Sequence, residues 1–243
     1  MSGTADSGAG DVARVPRLVF PLVDRAARAQ QPMVSGYVAR LRRRSPDGTP
    51  AEVIAMLERQ FLVAVTGTGA AIGGTAAAPG IGTASALALS AGETVAFLEA
   101  SAVFVLAVAE VHGVHVHDLE RRRALLLAVL VGESGSVIME KATGQASAHW
   151  AKALPNAIPR AAVEQANKQL ARWVARRYGA RQGAVILGRL VPFGVGAAIG
   201  GAANVAIGRA VVAATNRAFG PPPRAFTTPV PPLTRTVRGE VLG

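Results

Sequence analysis

Cysteine is absent from this 243-residue chain. Disulfide bonds, thiolate catalysis and cysteine-ligated zinc are excluded with it. Aromatic residues are scarce, at 5%, although half of the chain is hydrophobic. Alanine, glycine and valine therefore carry the apolar character, which favours close helix–helix approach over a core filled with bulky rings. Acidic residues are few: 15 Asp and Glu face 26 Lys and Arg, a formal charge of +11. That balance points to an anionic partner, phospholipid or nucleic acid. Nucleic acid is not expected, because the basic patches come with neither a recognisable reading helix nor stacking aromatics. No Gly-x-x-x-x-Gly-Lys-Ser/Thr run is present, so there is no P-loop. The polar N-terminus shows no basic run followed by an apolar one; no secretory signal is read there, and retention on the cytoplasmic side is the expectation. Charge itself is missing from one long stretch, with none between Arg59 and Glu93.

That uncharged stretch organises the chain. Its hexapeptide Gly69-Ala-Ala-Ile-Gly-Gly74 recurs letter for letter at Gly196–Gly201. Gly69 and Gly73 in the first block, and Gly196, Gly200, Asn204 and Gly208 in the second, fall four apart and make smooth helix faces suited to packing. The flanking sequence also reads as helix. Residues 16–31 alternate apolar and basic positions at helical spacing, and Tyr37–Leu41 runs into Arg42, Arg43 and Arg44. Thr49, Pro50 and Glu52 form a capping box with proline at the first helical position. A helix is expected from there into the uncharged block, broken at Pro79-Gly80, and a second from about Thr83 to His112, ended by Gly113. Asp118 caps a helix that carries Arg121, Arg122 and Arg123, turns leucine-rich, and stops at Gly132. One short helix is expected around Val137–Leu154. Residues 160–181 spell a basic amphipathic helix with Lys168, Arg172, Arg176 and Arg177 opposite Val163, Ala166, Leu170, Trp173 and Val174. The fold class is all-α: two matched Gly/Ala-rich blocks packed together, ringed by basic amphipathic helices. Residues 1–15 are expected to be a disordered tail, 16–217 a single helical domain, and 218–243, rich in Pro and Arg, a second disordered tail.

Three arms of the apolar blocks are borderline membrane spans. Arg40–Arg44 and Arg59 before the first arm, with Arg121–Arg123 after the second, suit a hairpin with both flanks on the cytoplasmic side. Within it Glu99 needs a partner, and Arg189 or Arg209 of the other block is the expected one. Arg42–Arg44, Arg121–Arg123, Arg172, Arg176 and Arg177 are read as lipid-facing. Trp173 and Tyr178 suit the interface.

The run Gly67-Thr-Gly-Ala-Ala-Ile-Gly-Gly-Thr-Ala-Ala-Ala-Pro-Gly-Ile-Gly82 resembles the glycine-rich segment of the EcsC protein family. So does the following helix end, Val108-Ala-Glu-Val-His-Gly-Val-His-Val-His-Asp-Leu-Glu-Arg-Arg122. Leu190–Asn204, with its proline, Gly/Ala helix and asparagine, resembles the second signature of that family. His112 stands where the family pattern has tyrosine. The resemblance spans about residues 50–217. It implies a bacterial, helical, membrane-associated protein without established catalytic residues, from a family named for an operon that also encodes an ABC transporter. The functional expectation is a non-enzymatic accessory or scaffold protein on the cytoplasmic membrane, needing no cofactor. Its partners would be anionic phospholipid, a membrane protein complex such as a transporter or envelope assembly, or further copies of itself.

Other readings of the same residues stay open. Gly67–Gly73 could be a strand-to-helix phosphate turn of a nucleotide-binding enzyme, although its spacing is Gly-x-Gly-x-x-x-Gly. His112, His115 and His117 beside Asp118 are candidate metal ligands, with exposed turn residues the plainer reading. Gly132-Glu-Ser134-Gly-Ser136 narrowly misses a nucleophile elbow. A soluble helical protein that binds anionic lipid through its arginine faces is the remaining alternative.

Overall fold

The computed structural model describes residues 21, 23–25, 28, 31–76, 83–143, 149–155, 158–179 and 195–227. All regular structure among them is helical. Residues 21, 23–25 and 28 are helical, and eight helices with defined bounds follow: α1 (Gln31–Arg44), α2 (Pro50–Ala76), α3 (Thr83–Val111), α4 (Leu119–Val131), α5 (Glu133–Thr143), α6 (Trp150–Ala153), α7 (Arg160–Gly179) and α8 (Val195–Phe219).

Local chemistry sets the boundaries. The Thr49 N–H donates to Glu52 Oε2 at 2.9 Å, and the Glu52 N–H donates to Thr49 Oγ1 at 3.3 Å. This reciprocal pair satisfies two N–H groups that a helix start leaves open. Asp118 accepts from the Glu120 N–H at the start of α4. Gly113 and Gly132 follow α3 and α4 with φ of 69° and 78°, a region that favours glycine and ends a helix. Where one helix was expected over Val137–Leu154 there are two, α5 and the single turn α6. Pro32 lies in the first turn of α1, where its missing N–H costs nothing.

α4 is the buried centre. Ala124 to Val129 are all buried, an unbroken apolar run that faces neighbours on every side. It packs on α5 and α7 and touches α3 and α8. Trp150, Phe219, Leu57, Met139, Leu154 and Leu170 complete the same core with relative exposures of 2% or less. Each such side chain contributes about 1.5–3 kcal/mol against the cost of ordering it.

The most extensive helix pair is α2 with α8, followed by α2 with α3. Glu58 meets Asn216 and Val65 meets Asn204, so α2 and α8 run antiparallel. The Phe61 ring stacks on Phe104 of α3 at 4.8 Å and tilts against Phe97 at 6.4 Å. The C-terminal end of α2 and the N-terminal ends of α3 and α8 therefore share one end of the bundle, beyond the α4–α7 core. Among the described residues, no helix is long and apolar enough to cross a membrane. The expected spanning hairpin is not supported.

The boundary expected at 217 lies later. α8 runs on to Phe219, which is fully buried and stacks on His112 at 5.2 Å. Residues 220–227 then lie on the body: Arg42 sits over the Phe226 ring at 3.8 Å, and Thr227 lies against Gly113. The residues expected to start a disordered tail at 218 are thus ordered through 227, because two phenylalanines give the segment something to bury.

Candidate functional site

Some of the residues singled out for helix packing lie at the α2–α8 crossing. A Cβ on Gly208 would meet Val65 Cγ2 at 3.0 Å and Leu62 Cδ2 at 3.1 Å, so the missing side chain sets how closely the helices approach. Asn204 donates to the Val65 carbonyl at 3.4 Å. Gly69, Gly73, Gly196 and Gly200 lie within α2 and α8; their packing is outside the described side chains.

Gly67–Gly73 falls inside the continuous helix α2, not in a strand-to-helix turn. Helix-interior N–H groups donate to carbonyls one turn back and are not presented to a phosphate. This removes the geometric basis of the nucleotide-site alternative. Gly132–Ser136 is likewise a helix corner. Gly135 packs directly on the Ala128 carbonyl, where a Cβ would collide with backbone, and Ser136 is buried.

The ion pair expected for Glu99 has a different partner. Glu99 faces Arg25 at 3.8 Å, from the helical segment before α1. Arg209 is exposed on α8, and Arg189 lies outside the described residues.

Arg121, Arg122 and Arg123 are not lipid-facing. Arg121 donates to the Leu154 carbonyl and lies 3.8 Å from Asp118. Arg122 is buried and donates to the Val116 carbonyl; desolvation lowers its pKa, opposed by Asp118. Arg123 donates twice to Asp24, at 2.6 Å each, and to Glu120 at 2.7 Å. The hydrogen bonds from Arg123 to Asp24 are the chief reason its pKa is raised; desolvation opposes them, and the Coulombic fields of Asp24 and Glu120, with the Glu120 hydrogen bond, add to the rise. Asn167 Nδ2 donates to the Glu120 carbonyl and carboxylate at 3.0 Å each, closing a network across three chain segments. Sequence reading assigned these arginines to a surface because three adjacent charges usually ride on one; here the N-terminal turn of the buried helix α4 needs them as clamps.

Of the other basic residues, Arg43, Arg44 and Arg172 are exposed, and Arg42 is half-buried over the Phe226 ring. Burial lowers the Arg42 pKa, opposed by Glu110. The side chains of Arg176 and Arg177 are outside the described set.

The histidines separate. His112 turns inward onto Phe219, and its Nδ1 is buried without a hydrogen bond. Desolvation, and then Lys152 and His149, lower its pKa to about 4. His115 lies outside, 3.7 Å from Glu110 and stacked on His117 at 6.3 Å. Among the described residues no group of three His, Asp or Glu side chains could hold a metal ion.

A cleft of about 510 Å³ lies between α2, α8 and residues 220–222. Among the described residues, its one ionisable lining residue is Glu58, which accepts from Asn216 at 2.7 Å. Among the described residues that line it, no nucleophile stands beside a base.

A different constellation is assembled at the α2–α3–α8 end. Phe61 fixes the level: its ring meets those of Phe97 and Phe104, and it lies against Gly208. Arg59, Glu99 and Arg209 therefore occupy about one level of the bundle, with Arg25 on Glu99. Beyond this charged collar, Gln60–Ala76 of α2 and Val195–Gly208 of α8 carry no charge, and Thr83–Leu98 of α3 carries only Glu93. Comparison with known proteins adds nothing to this geometry: no family model, no curated protein and no solved structure matches the chain.

Proposed function

We propose that this is a non-enzymatic, membrane-associated accessory protein, EcsC-like, held on the cytoplasmic face of the membrane by anionic phospholipid. One observation carries the reading, the asymmetry between the two signs of charge. Among the described residues several acids are engaged by the fold, Asp24 and Glu120 by Arg123, Glu52 by the Thr49 N–H, Glu58 by Asn216 and Glu110 by His115, while Glu164 pairs with Arg160 at the surface and Asp47 and Glu133 are exposed. Arg43, Arg44, Arg59, Arg172, Arg209 and Arg217 meanwhile stand exposed. Among the described residues, exposed arginines thus outnumber exposed acids, on a chain of net charge +11. Basic residues near an anionic bilayer contribute about 1 kcal/mol each.

Sedimentation with vesicles tests this. Vesicles containing about 30 mol% phosphatidylglycerol should pull the protein down at least about tenfold more strongly than pure phosphatidylcholine, and raised salt should weaken the binding. Equal partition between the two compositions, or no binding to either, overturns the reading.

A further inference from the structure

Four large hydrophobic side chains are exposed among the described residues: Met33, Val63, Val137 and Ile207. Three of them lie at one level. Tyr37 of α1 donates to Gln60 of α2, which places Met33 about one helical turn beyond Arg59. Val63 is one turn beyond Arg59 on α2, and Ile207 adjoins Gly208 at the α2–α8 crossing. Val63 is 66% exposed and Ile207 is 50% exposed. Gly67, a turn further along α2, has open space where a Cβ would stand.

These residues lie where the uncharged stretches of α2 and α8 begin. A water-facing helix end is ordinarily polar, and helices apolar all round are ordinarily covered by protein or lipid. Gln60–Ala76 is about 25 Å of helix and Val195–Gly208 about 20 Å, at 1.5 Å per residue. The hydrocarbon of one bilayer leaflet is about 15 Å deep. The uncharged ends are thus long enough to enter one leaflet. The charge below them is of the sign an anionic headgroup layer requires: Arg59 and Arg209 are exposed, and Glu99 is offset by Arg25. A second copy of the chain fits less well, since it would bring a like-charged collar against this one.

Resting on the membrane reading above, we infer that the α2–α3–α8 end is the surface that enters the bilayer. It does so without crossing, and Arg59 and Arg209 lie at the phosphates. Arg121–Arg123 take no part, and the α5 side of the molecule stays in water.

The absence of cysteine makes the test direct. Single-cysteine variants Val63→Cys, Gly67→Cys and Ile207→Cys, with Val137→Cys as the reference, are labelled with an environment-sensitive fluorophore and mixed with phosphatidylglycerol vesicles. The inference expects blue-shifted emission at 63, 67 and 207, quenching by lipids brominated in the acyl chain, stronger quenching at 67 than at 63, and no change at 137. Vesicle binding with no shift at 63, 67 and 207 overturns the assignment of this end while leaving the anionic-lipid reading intact. A shift at 137 alone overturns it in favour of the α5 face. Failure of the unlabelled protein to bind vesicles overturns both. Arg59→Glu with Arg209→Glu should reduce binding at least about tenfold with unchanged helicity; unchanged binding removes the collar from the inference.

Discussion

At the scale of single residues, the charges that matter most to stability are the ones that look most like surface. Arg123 holds Asp24 and Glu120 together with three bonds of 2.6–2.7 Å while only 21% of its side chain is exposed. Arg123→Ala leaves two half-buried carboxylates facing each other and should cost about 2–3 kcal/mol, read as a lowered urea midpoint. Arg172→Ala, on an exposed face, should stay within about 0.5 kcal/mol. His112 makes stability depend on pH. The unfolded chain takes up this proton near pH 6.5, whereas the folded ring, desolvated and facing Lys152 and His149, holds off to about 4. Stability is therefore full above pH 6.5 and is lost as pH falls through that window toward 4. Because the ring is only half-buried, the loss should be about 1–2 kcal/mol, less than full linkage allows. His112→Phe keeps the stack on Phe219 and should flatten the profile in unfolding titrations at pH 7 and 4.5; an unchanged slope would assign the pH dependence elsewhere.

At the scale of elements, glycine does two different jobs that one sequence pattern does not separate. Gly208 lets α8 approach Leu62 and Val65 of α2, whereas Gly135 lets α5 turn back onto the Ala128 carbonyl of α4. Side chains can yield by a few tenths of an ångström, but a backbone carbonyl cannot without moving its helix. Gly135→Ala should therefore destabilise by about 2–3 kcal/mol, and Gly208→Ala by about 1 kcal/mol or less. Thermal melts of the two variants give the comparison, and the reverse order would refute it. The four-residue glycine spacing in α2 and α8 was visible in the sequence, while the Gly135 contact was not. That contact depends on the angle between α4 and α5, which is set by the positive φ of Gly132 and by what both helices bury.

At the scale of the whole molecule, residues 220–227 tie helix ends that are far apart in the chain. Phe226 sits under Arg42 from α1, and Thr227 lies on Gly113 after α3. Phe226→Ala removes a cation–π contact and its packing, so the melting midpoint should drop by an amount equivalent to about 1 kcal/mol, with helicity unchanged. A drop no larger than that of Thr227→Ser would mean the ring only rests on the surface. An all-helical fold was legible along the chain because capping boxes, glycine stops and apolar periodicity are local: Thr49 and Glu52, or Asp118 and Gly132, act within a few residues of themselves. The uncharged stretch after Arg59 was equally legible. Which arginines face water was not, since Asp24 meets Arg123 across 99 positions and Arg25 meets Glu99 with all of α1 and α2 between them in the chain. Ion-pair partners are chosen by long-range packing, and no local pattern encodes that choice. The same packing gathered Met33, Val63 and Ile207, from three separate helices, at the level of one charged collar.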